Sequence, residues 1–307
     1  MKKYSKISML IGLLWIVQSC AVVGVLQSKK VFIGDFITEL KPVDSAKEYD
    51  RSINVIQGIA AFENGWFVSQ TSASKYLLIN YLDNNGKSLF NRRILVNSHA
   101  QDLSLEQVSD TELYLYTTVG EYNRKGASGL LRLKVILPEK VNGKRDMAQL
   151  KISLDSIFDL ELNNSTPTIN EAKTNFAIRS GNKVLIILKK SLLHGDYTDN
   201  IIKFSLDSSQ LKDGDTYLWF QGIAMKDNLV YCLTGNNSVD SPKYIYVYKL
   251  NGEVVKKIAL NHNDFAKSIG DKYEPEGLTF QGNTLYYTIM TKAKTGGNRK
   301  FLFKINI

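Results

Sequence analysis

Five polar side chains recur at matching places along the chain and could bind a ligand together. Each stands at the head of a short two-strand unit: Gln57, Gln101, Asn175, Gln221 and Glu276. Amide and carboxylate groups hydrogen-bond to hydroxyls and phosphates, and their oxygens can coordinate a cation. The same groups could instead hold neighbouring backbone segments together. If the units surround one axis, these side chains form a ring at one mouth of a central channel.

The densest acidic feature is the segment Glu274-Pro275-Glu276-Gly277. Two carboxylates beside a channel could hold Ca²⁺, which takes several oxygen ligands. Only Glu276 belongs to the ring, however, and the other ring residues are amides. A calcium site at Glu274 and Glu276 is therefore an alternative to a hydrogen-bonding role for both.

His99 lies two residues before Gln101, so it is expected at the same mouth. Histidine can act as an acid or a base near neutral pH. No Ser or Cys nucleophile accompanies it in the repeat pattern, which favours a hydrogen-bonding role. The chain also lacks P-loop, GxGxxG, HExxH and paired CxxC motifs. We therefore assign no catalytic residue and expect no nucleic-acid partner.

The elements that must position these residues are β-hairpins. The stretch from Gln57 to Gln70 reads QGIAAFENGWFVSQ, two apolar runs joined by Asn-Gly, which is a strong hairpin signal. Related hairpins begin at the other four ring positions, and further strand-like runs follow each of them. Four antiparallel strands in about 40 residues is the size of one propeller blade. The sequence predicts an all-β, five-bladed β-propeller whose first hairpin strands line the channel.

The fifth unit has only three strands before the chain stops. The unassigned strand from Val31 to Leu40 is predicted to supply the fourth, which would close the ring and remove exposed sheet edges. The longest interval between units contains Asp155 to Thr174, a polar segment predicted as a loop or short helix on one face. Three glycines that follow ring residues predict close backbone approach near the axis: Gly58, Gly222 and Gly277.

Composition indicates one folded β-rich domain over residues 30–307, with 44% hydrophobic and 10% aromatic residues. We expect this domain to be a monomer. The net charge is +9, and three of the lysines lie within the first six residues. The basic body is consistent with a solvated surface or with contact to an anionic polymer. Of the two cysteines, Cys20 and Cys232, the second is expected to be a small buried hydrophobe.

Residues 1–26 have the pattern of an export signal, a basic start followed by the apolar run Met9 to Leu26. We expect a hydrophobic leader helix here. Val17-Gln18-Ser19-Cys20 is similar to a bacterial lipobox, in which Cys20 would carry lipid. An uncleaved signal anchor is equally open, since about 18 apolar residues approach the minimum for spanning a bilayer. Cleavage and secretion is the third alternative. Each places the body outside the cytoplasm, and the first two hold it at a membrane of the cell envelope.

Five segments carry a family resemblance in their order along the chain: QGIAAFENGWFVSQ, SHAQDLSLE, PTINEAKTNFAIRS, QGIAMKDNLVYCLTG and YEPEGLTF. From about Ile53 to Ile307 the chain resembles the β-propeller family of teichoic acid biosynthesis protein C and staphylococcal phage receptor-binding proteins. It resembles helveticin J-like bacteriocins more distantly. The family pattern at the second unit is Gly-His-Gly before an acidic residue, whereas this chain has Ser98-His99-Ala100 and keeps Glu106. The resemblance implies a five-bladed propeller and, for the phage members, binding of cell-wall glycopolymers. It implies no catalytic residues.

These observations predict an extracytoplasmic, non-enzymatic propeller that binds an anionic glycopolymer or carbohydrate of the cell surface, similar to teichoic acid. One alternative is a calcium-dependent lactonase or phosphoesterase that uses Glu274 and Glu276. A second alternative is a secreted, helveticin-like bacteriocin, which would be cleaved from its leader and diffusible.

Overall fold

Five β-sheets of four or five strands surround one axis in a computed structural model of the protein. The structure describes residues 31–32, 34–42, 55–72, 76–120, 129–160, 162, 165–195, 202–206, 212–213, 216–217, 219–293 and 297–307. The predicted leader over residues 1–26, including Cys20, lies outside these ranges. Among the helices in the described ranges, none has both the length and the hydropathy needed to cross a bilayer.

Blades 1 and 2 follow the strand order that the repeats predict. From the axis outward, the strands of blade 1 are Val55–Phe62, Gly65–Ser72, Tyr76–Asp83 and Ser88–Ile94. The strands of blade 2 are Ser104–Gln107, Glu112–Val119, Gly129–Ile136 and Lys151–Asp159. Before the outer strand of blade 2, the chain forms the small hairpin Lys140–Val141 with Lys144–Arg145 and the 3-10 helix Met147–Gln149. The first strand of each blade is innermost, because it contacts the first strands of the neighbouring blades.

Blades 3 to 5 complete the ring. Blade 3 has the strands Thr166–Ile169, Asn175–Ser180, Lys183–Leu188 and Ile202–Ser205, with the helix Lys189–His194 before the last. The hairpin Lys212–Asp213 with Thr216–Tyr217 leads to blade 4, which has the strands Phe220–Lys226, Leu229–Thr234, Lys243–Lys249 and Val254–Leu260. The helix Asn263–Ile269 leads to blade 5, which has the strands Gly270–Gln281, Thr284–Ala293 and Asn298–Asn306. The prediction of five blades is confirmed.

The start of blade 3 differs from the prediction. The segment from Asp155 to Thr174 was expected to be a loop or short helix, but it completes the outer strand of blade 2 and forms the inner strand Thr166–Ile169 of blade 3. The strand is only four residues long and contains Pro167, which lacks an N–H and normally argues against a strand. Proline is tolerated here because an inner strand hydrogen-bonds to a neighbour on one side only.

The chain's first strands close the ring. Asp35–Leu40 pairs antiparallel with Asn298–Asn306 and is the fourth strand of blade 5, as predicted. The two residues Val31–Phe32, expected in the same strand, pair instead in parallel with the outer strand of blade 4. The change of blade occurs near Gly34, where a Cβ would stand 2.1 Å from the Tyr287 hydroxyl oxygen.

The hydrophobic core is divided into five clusters, each shared by two neighbouring blades. Strand alternation supplies both faces of a blade. In the second strand of blade 4, Tyr231 and Leu233 pack toward blade 5, whereas Val230 and Cys232 pack toward blade 3. Cys232 is a free, buried thiol whose pKa is raised by burial, which confirms that it is a packing residue. Each blade is therefore stabilised by its two neighbours.

Candidate functional site

A cavity of about 520 Å³ opens at one end of the axis, where the inner strands begin. We call it the front cavity. Blades 1, 2, 4 and 5 contribute to its lining. Six of the seven predicted binding residues are among the lining residues: Gln57, His99, Gln101, Gln221, Glu274 and Glu276.

Asn175 is the predicted ring residue that does not line this cavity. It begins the second strand of blade 3, where it pairs with Leu188, and not an inner strand. Its side-chain nitrogen, Nδ2, donates to the Thr174 hydroxyl at 3.3 Å. The expectation that Asn175 completes the ring is wrong, because the inner strand of blade 3 is Thr166–Ile169.

Two of the glutamines in the front cavity hold blades together. The Nε2 of Gln101 donates to the carbonyl oxygen of Phe220 at 3.0 Å, which joins blade 2 to blade 4 across the axis. The Nε2 of Gln221 donates to the Gly235 carbonyl at 3.1 Å and to Oε1 of Glu274 at 2.7 Å. The Gln57 amide, in contrast, makes no side-chain hydrogen bond with the residues that the structure describes. Gln57 is therefore the amide best placed to contact a ligand.

Glu276 is a buried carboxyl group on the cavity wall, with 3% of its surface exposed. Its Oε2 atom is buried and has no hydrogen-bond partner among the described residues. Burial raises the pKa of Glu276 well above its usual value, and the negative charges of Glu274 and Asp102 raise this pKa further. Burial also raises the pKa of Glu274, which Gln221 and Lys243 partly oppose. Both shifts favour protonated carboxyl groups, which can donate as well as accept hydrogen bonds.

His99 contributes a neutral ring to the front cavity. Burial, and secondarily the positive charge of Arg179, lowers the pKa of His99 to about 4. The imidazole is therefore uncharged at neutral pH and does not titrate there. This argues for a hydrogen-bonding role over an acid–base role.

The alternative of a calcium site gains no support from the geometry. In the described part of the chain, no group of three or more His, Cys, Asp or Glu residues is arranged to hold a metal ion. Oε1 of Glu274 already accepts a hydrogen bond from Gln221. A hard cation that seeks six to eight oxygen ligands would find at most two carboxylates here.

One residue missed by sequence reasoning is Asp102, which is buried among the inner strands next to the front cavity. Its Oδ2 accepts from the Ile223 amide at 2.5 Å, and its Oδ1 accepts from the amides of Leu103 at 2.8 Å and Leu278 at 3.4 Å. Blades 2, 4 and 5 are thereby joined by one carboxyl group. Burial raises the pKa of Asp102 well above its usual value, and these three donors partly oppose the shift.

The repeat contains a signal for Asp102. In three units the ring residue is followed by a glycine (Gly58, Gly222 or Gly277), but Gln101 is followed by Asp102. The glycines allow close backbone approach: a Cβ on Gly58 would lie 2.3 Å from the Asp102 carbonyl carbon, and one on Gly277 would lie 2.9 Å from the Ile59 nitrogen. Asp102 occupies the repeat position at which the other units have these glycines. Its position in the repeat therefore indicates that Asp102 lies close to the axis.

Four residues complete the lining of the front cavity, and sequence reasoning did not place them there: Val55, Trp219, Phe220 and Met290. Trp219 is the most informative, because 43% of its surface is exposed although most large aromatic residues of the fold are buried. A partly exposed indole beside amide and carboxyl groups is typical of sites that bind a flat apolar face and adjacent hydroxyls. The position of Trp219 directly before an inner strand was the available signal.

Comparison with known families gives one match, to the model described as "Phage 5-bladed beta propeller receptor binding platform domain", over residues 59–297. These residues include all five inner strands apart from the first residues of blade 1. A search of the curated proteins returns no match to the chain.

Solved structures show the same fold at low sequence identity. The tail fiber of Staphylococcus aureus phage P68 aligns with a TM-score of 0.61 and 19% identity over 89% of this chain and 52% of that chain. The chain thus spans about half the length of that fiber. An exo-β-1,3-galactanase from Phanerochaete chrysosporium aligns with a TM-score of 0.51 and 9% identity, covering 89% of this chain and 64% of the enzyme. Bacteroides ovatus xyloglucan PUL GH43B aligns with a TM-score of 0.50 and 11% identity, covering 89% and 54%.

Proposed function

Because the chain belongs to the family of phage five-bladed β-propeller receptor-binding platform domains, we propose that it binds a carbohydrate polymer on a cell surface. The observation that carries this proposal is the front cavity, in which residues from four blades converge around an exposed tryptophan. A concave site with a few convergent polar groups is the usual form of a small-ligand site. No catalytic step is proposed.

The chemistry of the lining favours a sugar ring. Trp219 offers a partly exposed aromatic face for the apolar side of a pyranose. Among the described residues, the Gln57 side-chain amide makes no hydrogen bond and Oε2 of Glu276 has no partner. Together they provide donors and acceptors for sugar hydroxyls or for an acetamido group. Hydrogen bonds to such a ring would satisfy the buried Glu276 carboxyl, whose unmade bond otherwise costs about 1–3 kcal/mol.

The charged side chains of the lining indicate which part of an anionic glycopolymer, its phosphates or its sugars, fits the front cavity. Among the described residues that line the front cavity, two are acids, Glu274 and Glu276, and none is a lysine or an arginine. This described lining offers a phosphate group two carboxyl groups and no direct contact with a cationic side chain. We propose that a glycosyl substituent of a teichoic-acid-like polymer enters the front cavity, and that the polymer's phosphates meet the basic outer surface.

The proposed location is outside the cytoplasm, at a membrane. The support is the sequence of residues 1–26, with either lipid on Cys20 or an uncleaved anchor. Replacing Cys20 with Ser separates these alternatives. A lipoprotein incorporates labelled fatty acid and loses the label in this variant, an anchored protein stays at the membrane without label with either residue, and a secreted protein appears in the medium with either residue.

The binding proposal is tested with a purified teichoic acid, prepared with and without its glycosyl substituents. We expect the protein to bind the glycosylated polymer at least tenfold more tightly, a difference of about 1.4 kcal/mol. Trp219→Ala and Gln57→Ala should each remove most of this preference. Ile157→Ala, which truncates another exposed apolar side chain on the outer strand of blade 2, serves as the control and should bind like the original protein.

Two results would contradict the proposal. Equal binding of the two polymers would show that the sugar is not recognised. A Trp219→Ala variant that is folded and keeps the full preference would place recognition outside the front cavity.

A further inference from the structure

A second cavity, of about 210 Å³, lies at the opposite end of the same inner strands. We call it the rear cavity. The inner strand of blade 4 shows the arrangement: Gln221 lines the front cavity, and Met225 and Lys226 line the rear one. All five blades contribute to the rear cavity, and Asp102 with its backbone partners separates the two cavities. A ligand in one cavity therefore does not share contacts with a ligand in the other.

Lys173 places an ammonium group at the rear cavity in a fixed position. The turn that carries it is held by the Asn170 side chain, which accepts from the Thr174 and Asn175 amides at 2.8 and 2.9 Å. Lys173 itself has a φ of 59°, a strained value for a residue with a Cβ. Its Nζ crosses to blade 2 and donates to the Leu105 carbonyl at 3.0 Å.

The Lys173 ammonium is partly buried and makes fewer hydrogen bonds with the described residues than its three N–H groups allow. Burial lowers its pKa, although nearby Glu106 and Glu171 oppose the shift. Glu106 is itself engaged, because it pairs with Lys189 and accepts from the Tyr116 hydroxyl at 2.6 Å. An ammonium has three donors, and one acceptor is found for Lys173 among the described residues. A partly desolvated cation with unused donors is stabilised by an anionic ligand.

Lys226 adds a second fixed cation on the wall formed by blades 4 and 5. Its Nζ donates to the Gly282 carbonyl at 2.6 Å and to Oδ1 of Asn283 at 2.7 Å, and it lies 5.6 Å from the centre of the Phe280 ring. All of these partners are uncharged. The positive charge of Lys226 therefore remains available to a ligand at the cavity.

The rest of the lining supplies neutral donors and one acid. The Ser104 hydroxyl accepts from the Ile169 amide at 2.9 Å, which leaves its own hydrogen to donate. Glu171 is the one acidic residue among the described residues that line the rear cavity, and it is exposed. Among the described lining residues, two cations against one exposed acid give the rear cavity a net positive charge.

We propose that the rear cavity binds a phosphate-type oxyanion, held by the ammonium groups of Lys173 and Lys226 and by the Ser104 hydroxyl. The cavity is smaller than the roughly 300–1,000 Å³ typical of drug-sized ligands, so it fits a single small anionic group. Lysine binds phosphate as a point charge, without the paired geometry that arginine provides. The ligand is either free phosphate or a phosphodiester of a larger molecule.

The test is calorimetric titration of the whole protein at pH 7 and constant ionic strength, with chloride as the reference anion. One arm uses inorganic phosphate and the other uses bis-glycerol phosphate, which separates a free ion from a phosphodiester. We expect binding in at least one arm, weakened at least tenfold by Lys173→Gln or Lys226→Gln. Lys203→Gln removes the same charge from an exposed site on the outer strand of blade 3 and should change affinity less than twofold.

Two further variants make the test independent of misfolding. Glu171→Gln removes the opposing charge and should strengthen binding. Trp219→Ala should leave it unchanged, because that residue lines the front cavity. The proposal is overturned if neither phosphate compound binds beyond chloride, if Lys226→Gln behaves like Lys203→Gln, or if Glu171→Gln fails to increase affinity.

Discussion

At the scale of single residues, the packing of the inner strands around the axis depends on two glycines, Gly58 and Gly277, and on one buried carboxyl group, that of Asp102. Gly58 and Gly277 bring inner strands into direct backbone contact, and Asp102 satisfies amides of two opposite blades in the space that remains. Burying a carboxyl group is favourable only when it is hydrogen-bonded, and Asp102 accepts three such bonds.

The close approach at Gly58 predicts a large effect from one methyl group. In Gly58→Ala the new Cβ would lie 2.3 Å from the Asp102 carbonyl carbon and 2.6 Å from its Cα. Because these are backbone atoms of another blade, relief requires the two blades to separate. We expect the free energy of unfolding to fall by about 3 kcal/mol or more, at the upper end for overpacking.

Gly143→Ala is the control for Gly58→Ala. Its Cβ meets nothing within 4 Å, although its φ is +76°. The free energy of unfolding of Gly143→Ala should therefore fall by only about 1 kcal/mol, because the left-handed backbone disfavours a residue with a Cβ. Urea unfolding of both variants measures the difference, and equal losses would contradict the axial contact.

The buried acid of the front cavity predicts a pH dependence of stability. Because burial and the charges of Glu274 and Asp102 raise the pKa of Glu276, the folded state holds this proton more tightly than the unfolded state. The group therefore contributes stability at low pH, and this contribution is lost as pH rises above the usual value of 4.5 through the raised pKa. Glu276→Gln stays neutral at every pH.

The measurement is the free energy of unfolding from pH 4.5 to about pH 8 for both proteins. We expect the difference in favour of Glu276→Gln to grow steadily with pH. Glu253→Gln, which removes a carboxylate that is 56% exposed, should follow the original protein. A difference between Glu276→Gln and the original protein that does not change with pH would show that Glu276 is charged in the folded state.

At the scale of elements, prediction succeeded where turns are short and strands alternate. The hairpins beginning near Gln57, Gln221 and Glu276 have short turns, and each appears as the first and second strands of a blade. The prediction for the inner strand of blade 3 was wrong because Thr166–Ile169 is short and contains a proline, so its local sequence carries little strand signal. Its position is determined by contacts with the neighbouring inner strands, which are not encoded within the segment itself.

The same limit explains what was found and missed at the front cavity. The positions of Gln57, Gln221 and Glu276 followed from repeat symmetry. Trp219 is exposed and lines this cavity, and its exposure depends on the tertiary structure. Asp102 was detectable as a substitution for an axial glycine, but its bonds to two distant blades were not.

The closing strand Asp35–Leu40 predicts unequal roles for two adjacent residues. Leu40 is 2% exposed and packs in the cluster between blades 5 and 1. Leu40→Ala should therefore lower the free energy of unfolding by about 2–4 kcal/mol. Glu39 makes two 2.9 Å bonds to Arg299, but the pair is partly exposed and screened by solvent. Glu39→Gln should therefore cost less than about 1 kcal/mol. Thermal and urea unfolding compare the two, and a larger loss for Glu39→Gln would show that the ion pair fastens the ring.

At the scale of the whole molecule, the ring has two ends of opposite character. The front cavity carries two carboxyl groups and an exposed tryptophan, and the rear cavity carries two lysines. The protein as a whole has a net charge of +9. Long-range attraction to an anionic polymer therefore comes from the molecule's overall charge, whereas recognition in the front cavity is proposed to depend on uncharged contacts.

This separation predicts that salt and Trp219 act on different rate constants for binding to a glycosylated teichoic acid. Attraction by net charge accelerates association and is screened within about 10 Å at 0.1 M salt. Raising salt from about 50 to 500 mM should therefore slow association several-fold and change dissociation little. Trp219→Ala should accelerate dissociation and change association little, because loss of a contact buried in the complex acts mainly on dissociation.

Surface plasmon resonance on immobilised polymer measures both constants. If salt instead accelerated dissociation as strongly as Trp219→Ala does, ionic contacts would dominate the bound state, and the polymer's phosphates rather than its sugars would be the recognised groups.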